Sequence, residues 1–515
     1  MSVPLPTRRG LLLGGAALTG GVLLGGCSTS SATAPKTASS PVKGGRVRAA
    51  FQTAGAKETL DPHAATLFVD GARSKALFDK LAELGPDMAP VPRLAEKFEP
   101  NGDATKWKVT LRKASFHDGR PVTAEDVLAS YARILAAPAT RRAAVQLDAI
   151  DLKASTAVSP QVIEFVLKRP VSEFPLATTA FGAWITPKDL TDFTKPVGSG
   201  PFRFVSFAAG GTLVVDRFDG YWDGAPYLDR VEFVPANEET ARINALVGNQ
   251  VEYAHDLSAA SARTYAADKR VAVHRAPGSA MHALAMKLDR APFDKPEVRA
   301  AFRLLVDREE LVRTVLGGMG SVGNDLFGKG YQYYADLPQR TRDVEKAKSL
   351  LKSAGVEGLK VSLQTAQAGA GLVEAATLFA EQAKAAGVTV DVAVGNKDTF
   401  FKDTLSGGSF SSYRSGAMPI DTHLASRLLT TSPQNVTRWG SPEFDALYRK
   451  MQSSVDPAAR TAAYREMQVQ LHERCGLLIW GFADWIVGTS ARLNGVADAP
   501  PNTLDWARFD KVWLA

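Results

Sequence analysis

Residues 107–127 read WKVTLRKASFHDGRPVTAEDV, and this stretch contains three successive structural signals. Apolar and polar side chains alternate over residues 107–112, which predicts a half-buried strand. Residues 117–121 combine Asp, Gly and Pro, which is typical of a turn. Thr123 is followed by two acidic residues, so we expect it to be the N-cap of a helix that ends near Leu135.

The rest of the chain also mixes strand and helix signals, with a more regular alternation after about residue 283. We predict strands over residues 46–51, 162–167, 211–217, 359–365, 388–394, 410–413 and 477–487. We predict helices over residues 296–316, 343–354, 372–386 and 398–405. This alternation indicates an α/β protein, and a length of 515 residues indicates two large lobes with a boundary near residues 278–286.

The first thirty residues have the pattern of an export signal. Arg8 and Arg9 precede an uncharged run, residues 11–24, that is too short to span a bilayer as a helix. Small residues then lead to Cys27, which resembles the lipobox of bacterial lipoproteins, in which this cysteine is acylated. The arginine pair resembles a twin-arginine signal, with general secretion as the alternative. Residues 1–26 are therefore predicted to be a signal peptide and residues 27–43 a flexible tether.

Composition argues against a nucleic-acid partner and against a membrane span in the body of the protein. The net charge of +7 is small for this length, and no basic run alternates with aromatic residues, so we expect no nucleic-acid partner. The second of the two cysteines, Cys475, is expected to be a buried free thiol. Beyond the leader, no stretch is long and apolar enough to cross a membrane.

Residues 107–127 resemble the signature of the family 5 extracellular solute-binding proteins, the oligopeptide, dipeptide and nickel receptors of ABC importers. Further matches follow the family's order along residues 45–515. These are Leu60-Asp61-Pro62, Leu77-Phe78-Asp79, residues 91–96, residues 198–202, Tyr221-Trp222, Leu228-Asp229, Pro292-Phe293-Asp294, residues 298–301, residues 306–309, Asn435-x-x-Arg438-Trp439 and Glu443-Phe444-Asp445.

This resemblance implies a bilobal periplasmic-binding-protein-like α/β fold of the cluster C type, with a hinged ligand cleft. The first lobe would comprise residues 44–282 and include a small inserted subdomain at about residues 76–195. The second lobe would comprise residues 283–478, and residues 479–515 would return to the first lobe. The implied role is a monomeric, lipid-anchored receptor on the extracytoplasmic face of the cell membrane. Such a receptor delivers a peptide-like or other small solute to a permease and ATPase complex.

The segment that sets ligand specificity in this family departs from the dipeptide-type pattern. Those relatives carry a Trp-x-x-Asp segment whose carboxylate holds the ammonium group of a peptide, whereas here Tyr413 and Gly416 occupy the two positions. They also carry an arginine after the strand at residues 359–365, where this chain has amides and a hydroxyl. We therefore expect a ligand other than a short peptide with free ends. The candidate ligand contacts are Tyr413, Arg414, Asp421, Asn435, Arg438 and Trp439.

Enzyme and metal functions lack a sequence motif, so we expect neither a catalytic site nor a cofactor. Gly-x-Ser-x-Gly and His-Glu-x-x-His are both absent. Residues 318–323 spell a dinucleotide fingerprint but follow a helix rather than a strand, so we interpret them as a helix stop and loop. The seven histidines show no ligand pair on one helix, although His423 lies near the specificity segment. An exported sensor or chaperone receptor with this fold, and less favourably an exported hydrolase, are the alternative functions.

Overall fold

Nineteen strands and fourteen helices are present in residues 40–515, the part of the chain that the computed structural model describes. The strands are β1 (Arg46–Phe51), β2 (Ala82–Leu84), β3 (Pro90–Pro92), β4 (Ala95–Pro100), β5 (Lys106–Leu111), β6 (Thr156–Ser159), β7 (Val162–Val166), β8 (Phe202–Ser206), β9 (Leu213–Arg217), β10 (Arg230–Pro235), β11 (Tyr253–Ala254), β12 (Val271–Met286), β13 (Gly320–Val322), β14 (Lys360–Thr365), β15 (Thr389–Val394), β16 (Phe410–Gly416), β17 (Leu477–Ser490), β18 (Leu493–Asn494) and β19 (Trp513–Leu514).

The helices are α1 (Phe68–Leu77), α2 (Ala124–Leu135), α3 (Ala144–Leu147), α4 (Phe174–Ala177), α5 (Glu239–Val247), α6 (Ala259–Tyr265), α7 (Pro296–Leu305), α8 (Arg308–Val315), α9 (Val344–Ser353), α10 (Leu372–Ala383), α11 (Phe400–Ser406), α12 (Ile420–Arg427), α13 (Pro442–Gln452) and α14 (Pro457–Arg474).

One large mixed sheet runs through the molecule in the order β15-β14-β16-β12-β17-β11-β1-β10-β9-β8, with β13 added beside β17. The antiparallel strands β12 and β17 are its longest members and lie at its centre. The early part of β12, Val271–Ala276, pairs with the late part of β17, and Ala280–Ala285 pairs with the early part of β17. These two strands are therefore shared by both halves of the sheet.

The chain crosses between the halves at an irregularity in β12. The register of β12 against β17 shifts between Ala276 and Ala280, and Gly278 within this break has a φ of +70°. A positive φ costs glycine little because it has no Cβ atom, so the strand can bend here without strain. The hydroxyl of Tyr331 donates to the Gly278 carbonyl at 2.9 Å and holds the break in place.

Separate hydrophobic cores define two lobes on this sheet. We call the half with β1, β8 to β11, α1, α5 and α6 the first lobe; its core includes Val47, Phe233 and Trp506. We call the half with β13 to β16 and α7 to α14 the second lobe. The segment after β17 packs Phe509 and Val512 into the first-lobe core. The predicted lobe boundary at 282/283 falls inside β12, and the predicted boundary at 478/479 falls inside β17.

A third core lies between Leu81 and Ile185, around the four-stranded sheet β4-β5-β7-β6; we call this region the inserted subdomain. Trp107 is buried in it, and the carboxylate of Asp126 accepts a hydrogen bond from the Thr123 N–H at 2.9 Å. The strand, the turn and the helix with its N-cap, all predicted from residues 107–127, are therefore confirmed.

The single helix predicted over residues 296–316 is wrong, because the structure contains two helices there. α7 ends at Leu305, and Asp307 begins α8 by accepting a hydrogen bond from the Glu310 N–H at 2.9 Å. An aspartate that caps a new helix inside an otherwise periodic pattern explains the break. After α8 the glycine-rich residues 318–323 form a loop and the short strand β13, which pairs with β17. Within residues 40–515, no helix has the length and apolar character needed to span a membrane.

Candidate functional site

Aromatic side chains of the first lobe gather beside the point where the chain crosses between the lobes. Trp485, at the break in β17, has its ring centroid 5.0 Å from Phe68 and 5.1 Å from His255. Trp506 lies 6.0 Å from Phe68 and 5.5 Å from His255. Phe68 is 38% exposed although it is large and apolar. We call these four residues the aromatic cluster; it offers a flat surface on which a ring or apolar group can stack.

The aromatic cluster also contains polar atoms that have no partner within residues 40–515. The Nε1 atoms of Trp485 and Trp506 are buried without a hydrogen bond, and so are both ring nitrogens of His255. Burial lowers the pKa of His255 to about 3, so its ring is neutral at physiological pH. Unpaired buried polar groups are costly, and their concentration at one place is typical of a site that a ligand completes.

Arg414 lies on β16, which is between β14 and β12 in the second-lobe half of the sheet. Its register partner on β12 is His282, so both side chains leave the same face of the sheet. The Arg414 Nη1 atom lies 3.5 Å from the position that a Cβ atom on Gly369 would occupy, in the loop before α10. Its Nε is buried without a partner, and no ion pair within 4.0 Å holds the guanidinium in the described part of the chain. Burial lowers the pKa of Arg414, and the charge of Asp256 opposes this shift.

Asp256 is an acidic residue of the first lobe whose charge raises the pKa of Arg414. It follows β11 with a φ of +54°, and its carbonyl accepts a hydrogen bond from Arg242 Nη2 at 2.9 Å. The side chain is exposed, and no residue from 40 to 515 donates a hydrogen bond to its carboxylate. The surrounding protein raises the pKa of Asp256 by desolvation, while Arg242 and Arg414 lower it.

The other candidate contacts on the specificity segment are occupied by protein groups. Asp421 lies in the first turn of α12, and its Oδ1 accepts hydrogen bonds from Gln452 Nε2 at 2.7 Å and from Tyr464 at 2.9 Å. Tyr413 is half-buried against the second-lobe core and leaves β16 on the face opposite to Arg414. The structure therefore does not bring Tyr413, Arg414 and Asp421 together on one surface.

Asn435, Arg438 and Trp439 lie in the loop that precedes α13. Asn435 Nδ2 donates to the Trp439 carbonyl at 2.6 Å, and the Trp439 ring is buried 5.7 Å from that of Phe444. Arg438 has a φ of +56°, is exposed and donates to the Leu405 carbonyl at 2.8 Å. These contacts shape the loop, and a ligand role for the three residues stays a prediction.

His423 is buried in the second lobe, where its ring stacks 4.0 Å from that of Phe327. Across residues 40–515 no three His, Cys, Asp or Glu side chains are grouped so that they could hold a metal ion. Cys475 is a buried free thiol, as predicted, whereas Cys27 lies outside the described residues.

Sequence reasoning did not identify the first-lobe residues of this site. Asp256 and His255 follow a strand of only two residues, and Phe68 and Trp506 lie far from each other in sequence. The available signal was Trp485 near the end of the predicted strand at residues 477–487, next to the aspartate at position 484. Polar and aromatic residues inside an otherwise apolar strand indicate a position that is not simply core.

Comparison with known proteins places the chain in a family. Residues 89–435 match the bacterial extracellular solute-binding proteins, family 5. The chain is 24% identical to the glutathione-binding protein GsiB of Pectobacterium atrosepticum over 84% of its length and 87% of that protein. It is 26% identical to the peptide transport periplasmic protein SapA of Salmonella typhimurium over 87% and 89% of the two chains.

The fold matches solved structures of the same kind. The crystal structure of the ABC transporter substrate-binding protein CtaP of Listeria monocytogenes superposes with a TM-score of 0.80 at 21% identity, covering 92% of this chain and 99% of that one. The bilobal periplasmic-binding-protein-like fold predicted from the sequence is confirmed. The chain belongs to the family 5 bacterial extracellular solute-binding proteins of ABC transporters, which are binding proteins and not enzymes.

Proposed function

We propose that this protein is a lipid-anchored receptor that holds a small solute between its two lobes and delivers it to the permease and ATPase of an ABC importer. The observation that carries the proposal is the aromatic cluster, where Phe68 is exposed beside four unpartnered polar atoms of Trp485, Trp506 and His255. A solute stacked there would supply the missing hydrogen-bond partners and cover the apolar ring.

Closure of the lobes over the solute follows from the way the chain crosses between them. Among residues 40–515, β12 and β17 are the strands shared by the two halves of the sheet, and β12 is irregular at Gly278. Rotation about so few backbone positions is the usual hinge motion of binding proteins. Trp485 lies at the crossing in β17, so rotation there changes the space in front of the aromatic cluster.

A peptide-like solute is the first ligand class to test. GsiB is named for glutathione and SapA for peptide transport, and both align with most of this chain. Arg414 is the second-lobe residue that we propose as a ligand contact, because its guanidinium has no partner of its own in the described part of the chain. Tyr413 is a weaker candidate because it leaves the other face of β16. Asp421, Asn435 and Arg438 would have to give up existing hydrogen bonds, and the Trp439 ring is buried in the second-lobe core.

A lipid anchor would keep the receptor at the membrane, where it passes its ligand to the permease. The leader ends in small residues before Cys27, and residues 27–43 are rich in Ser, Thr and Ala. A lipid on Cys27 would hold the binding body near the permease and raise its effective concentration there.

Uptake by cells tests delivery directly. A strain that lacks this gene is supplied with labelled glutathione and labelled short peptides, and the same strain carrying the intact gene serves as the comparison. The proposal predicts that at least one labelled solute accumulates only when the gene is present, and that a variant with Trp485→Ala restores little of this uptake. Equal accumulation of every solute in the two strains would contradict the transport role.

A further inference from the structure

A short hairpin at the start of the inserted subdomain reaches into the core of the second lobe. Its strands β2 and β3 are joined by residues 85–89, Gly-Pro-Asp-Met-Ala, which we call the hairpin tip. The base of the hairpin is held by the first lobe, because Glu83 pairs with Lys75 of α1 at 2.9 Å. The Leu84 carbonyl also accepts a hydrogen bond from the Leu504 N–H, in the segment after β17, at 2.6 Å. The hairpin therefore connects the first lobe to the second.

Met88, in the hairpin tip, is buried among residues of the second lobe. It is 2% exposed and belongs to the hydrophobic core that also contains Met281, Phe327 and Tyr331. Its φ of +60° lies in the left-handed region, which is unfavourable for residues other than glycine. Burial of an apolar side chain can offset such a cost, so the conformation of the tip is explained by the contact that Met88 makes.

The second lobe contacts the hairpin tip through the loop before α9. The Gln332 N–H donates to the Asp87 carbonyl at 2.7 Å, so the tip is bonded through its backbone in addition to the packing of its side chain. Gln468 of α14 holds this loop in place. Its Nε2 donates to the Tyr333 carbonyl at 2.7 Å, and its Oε1 accepts a hydrogen bond from the Ala335 N–H at 3.0 Å.

Three successive residues of the same loop contact three other parts of the molecule. Tyr331 donates to the Gly278 carbonyl, at the crossing between the lobes in β12. Gln332 bonds the hairpin tip, and Tyr333 donates to the Glu173 carboxylate of the inserted subdomain at 2.7 Å. A change of angle at the crossing is therefore linked to the seating of the hairpin tip, because one loop contacts both.

We propose that Met88 is a latch that holds the two lobes together and must leave the second-lobe core before they separate. The base of the hairpin moves with the first lobe and the core around Met88 moves with the second. Opening exposes an apolar side chain to water and breaks the hydrogen bond between Gln332 and Asp87, and both changes disfavour the open arrangement. The inference rests on the lobe motion of the proposed function, and it concerns how readily the protein opens, whichever solute it carries.

Oxidation of Met88 tests the latch in the intact protein. Hydrogen peroxide converts an accessible thioether to the sulfoxide, and mass spectrometry of the digested protein gives the rate at each methionine. Met467 is buried in the same core but lies on α14 within the second lobe, so opening of the lobes does not expose it. We expect Met88 to be oxidised about tenfold faster than Met467 or more under native conditions. Equal rates would overturn the inference, because Met88 would then leave the core only on global unfolding.

Spin labels measure the separation of the lobes directly. Lys153→Cys on the inserted subdomain and Lys450→Cys on α13 provide one label on each side, since both lysines are exposed. The labels are introduced in the Cys27→Ala background, in which the remaining cysteine, Cys475, is buried. Double electron–electron resonance then gives the ratio of the longer, open distance to the shorter, closed one.

Met88→Ala should raise the ratio of open to closed protein about tenfold or more, because it removes the buried side chain. Met88→Leu keeps an apolar side chain of similar volume and should leave the ratio near that of the wild type. Pro86→Ala, at an exposed position of the same tip, is the control and should also leave it unchanged. An unchanged ratio in Met88→Ala, or an equal rise in Pro86→Ala, would overturn the latch and leave the receptor function intact.

Discussion

The carboxylate of Glu173 accepts a hydrogen bond from the Tyr333 hydroxyl at 2.7 Å and thereby joins the inserted subdomain to the second lobe. Glu173 also lies 2.9 Å from Arg460, and the Tyr333 ring stacks 4.2 Å from that of Tyr464. Beside it, the Ser172 N–H donates to the Gln452 carbonyl at 2.8 Å. These contacts connect parts of the chain that would separate if the lobes opened.

Removing the hydrogen bond between Glu173 and Tyr333 should destabilise the protein, and the effects of the two substitutions should not be additive. We expect Glu173→Ala and Tyr333→Phe each to lower the free energy of unfolding by about 1–3 kcal/mol, because each removes one partner of this hydrogen bond. The double variant should cost less than the sum of the two. Denaturant unfolding of all three variants measures the coupling, and Glu357→Gln, at an exposed position, is the control. Additive losses would show that the two residues do not act together.

A disulfide across the same contact should slow the exchange of ligand. Ser172 and Gln452 are close enough for Ser172→Cys with Gln452→Cys to form a bond when oxidised, since their backbone atoms already hydrogen-bond. We expect ligand release from the oxidised double variant to slow about tenfold or more and to recover on reduction. Stopped-flow release of a labelled ligand measures this, with Ser172→Cys alone as the control. Unchanged release would mean that the contact persists while the ligand leaves.

Buried neutral histidines should make the fold sensitive to acid. Burial lowers the pKa of His63 and of His117 to about 4, and that of His255 and of His282 to about 3. Below about pH 6.5 the unfolded chain binds protons that the folded chain does not, so stability falls as pH falls. At pH 5 each such group costs about 2 kcal/mol.

His255→Phe should reduce this acid sensitivity by about 2 kcal/mol between pH 7 and pH 5, since it removes one of the histidines whose pKa is lowered by burial. The ring lies 4.5 Å from Phe51, so an apolar aromatic replacement fits its surroundings. Unfolding midpoints measured across the pH range give the slope for the wild type and the variant. His274→Gln, at a partly exposed position, is the comparison. A slope that is the same in His255→Phe as in the wild type would assign the acid sensitivity to other groups.

The proposed lipid anchor would be attached to the Cys27 thiol, so Cys27→Ala should release the protein from the membrane. We expect wild-type protein in the membrane fraction and the variant in the medium or extracytoplasmic fluid after cell fractionation, because neither residues 40–515 nor the tether offers another apolar anchor. Cys475→Ala should stay with the membrane. Retention of Cys27→Ala in the membrane fraction would show that the uncleaved leader or another contact holds the protein there.

Local signals predicted the elements of the fold well, because they depend on neighbouring residues. The alternation at residues 107–112 and the cap at Thr123 correspond to β5 and α2, and the strand at residues 46–51 agrees with β1 at both ends. The break between α7 and α8 was missed because Asp307 sits in a pattern whose apolar spacing continues on both sides. The spacing of apolar residues is judged over a long window, so a single capping residue within that window does not interrupt the helical pattern.

The candidate site was only partly visible in the sequence, because it depends on which parts of the chain meet. Arg414 was selected from the specificity segment, and the structure leaves its guanidinium without a partner in the described residues. Asp256 and the aromatic cluster come from segments up to hundreds of residues apart, and β12 and β17 bring them together. Trp439 and Asn435 match the family pattern, and the structure uses them to hold a loop.

Ligand binding to the aromatic cluster is the central claim, and calorimetric titration of the purified protein, paired with Phe68→Ala, tests it most directly. Phe68 is exposed in the cluster, so its removal should leave the fold intact; Val205→Ala, at a position of similar exposure on β8, is the control. We predict that at least one peptide-like solute binds the wild type and Val205→Ala with equal affinity and binds Phe68→Ala about tenfold more weakly. Binding that is unaffected by Phe68→Ala, or no binding by any solute, would contradict the account.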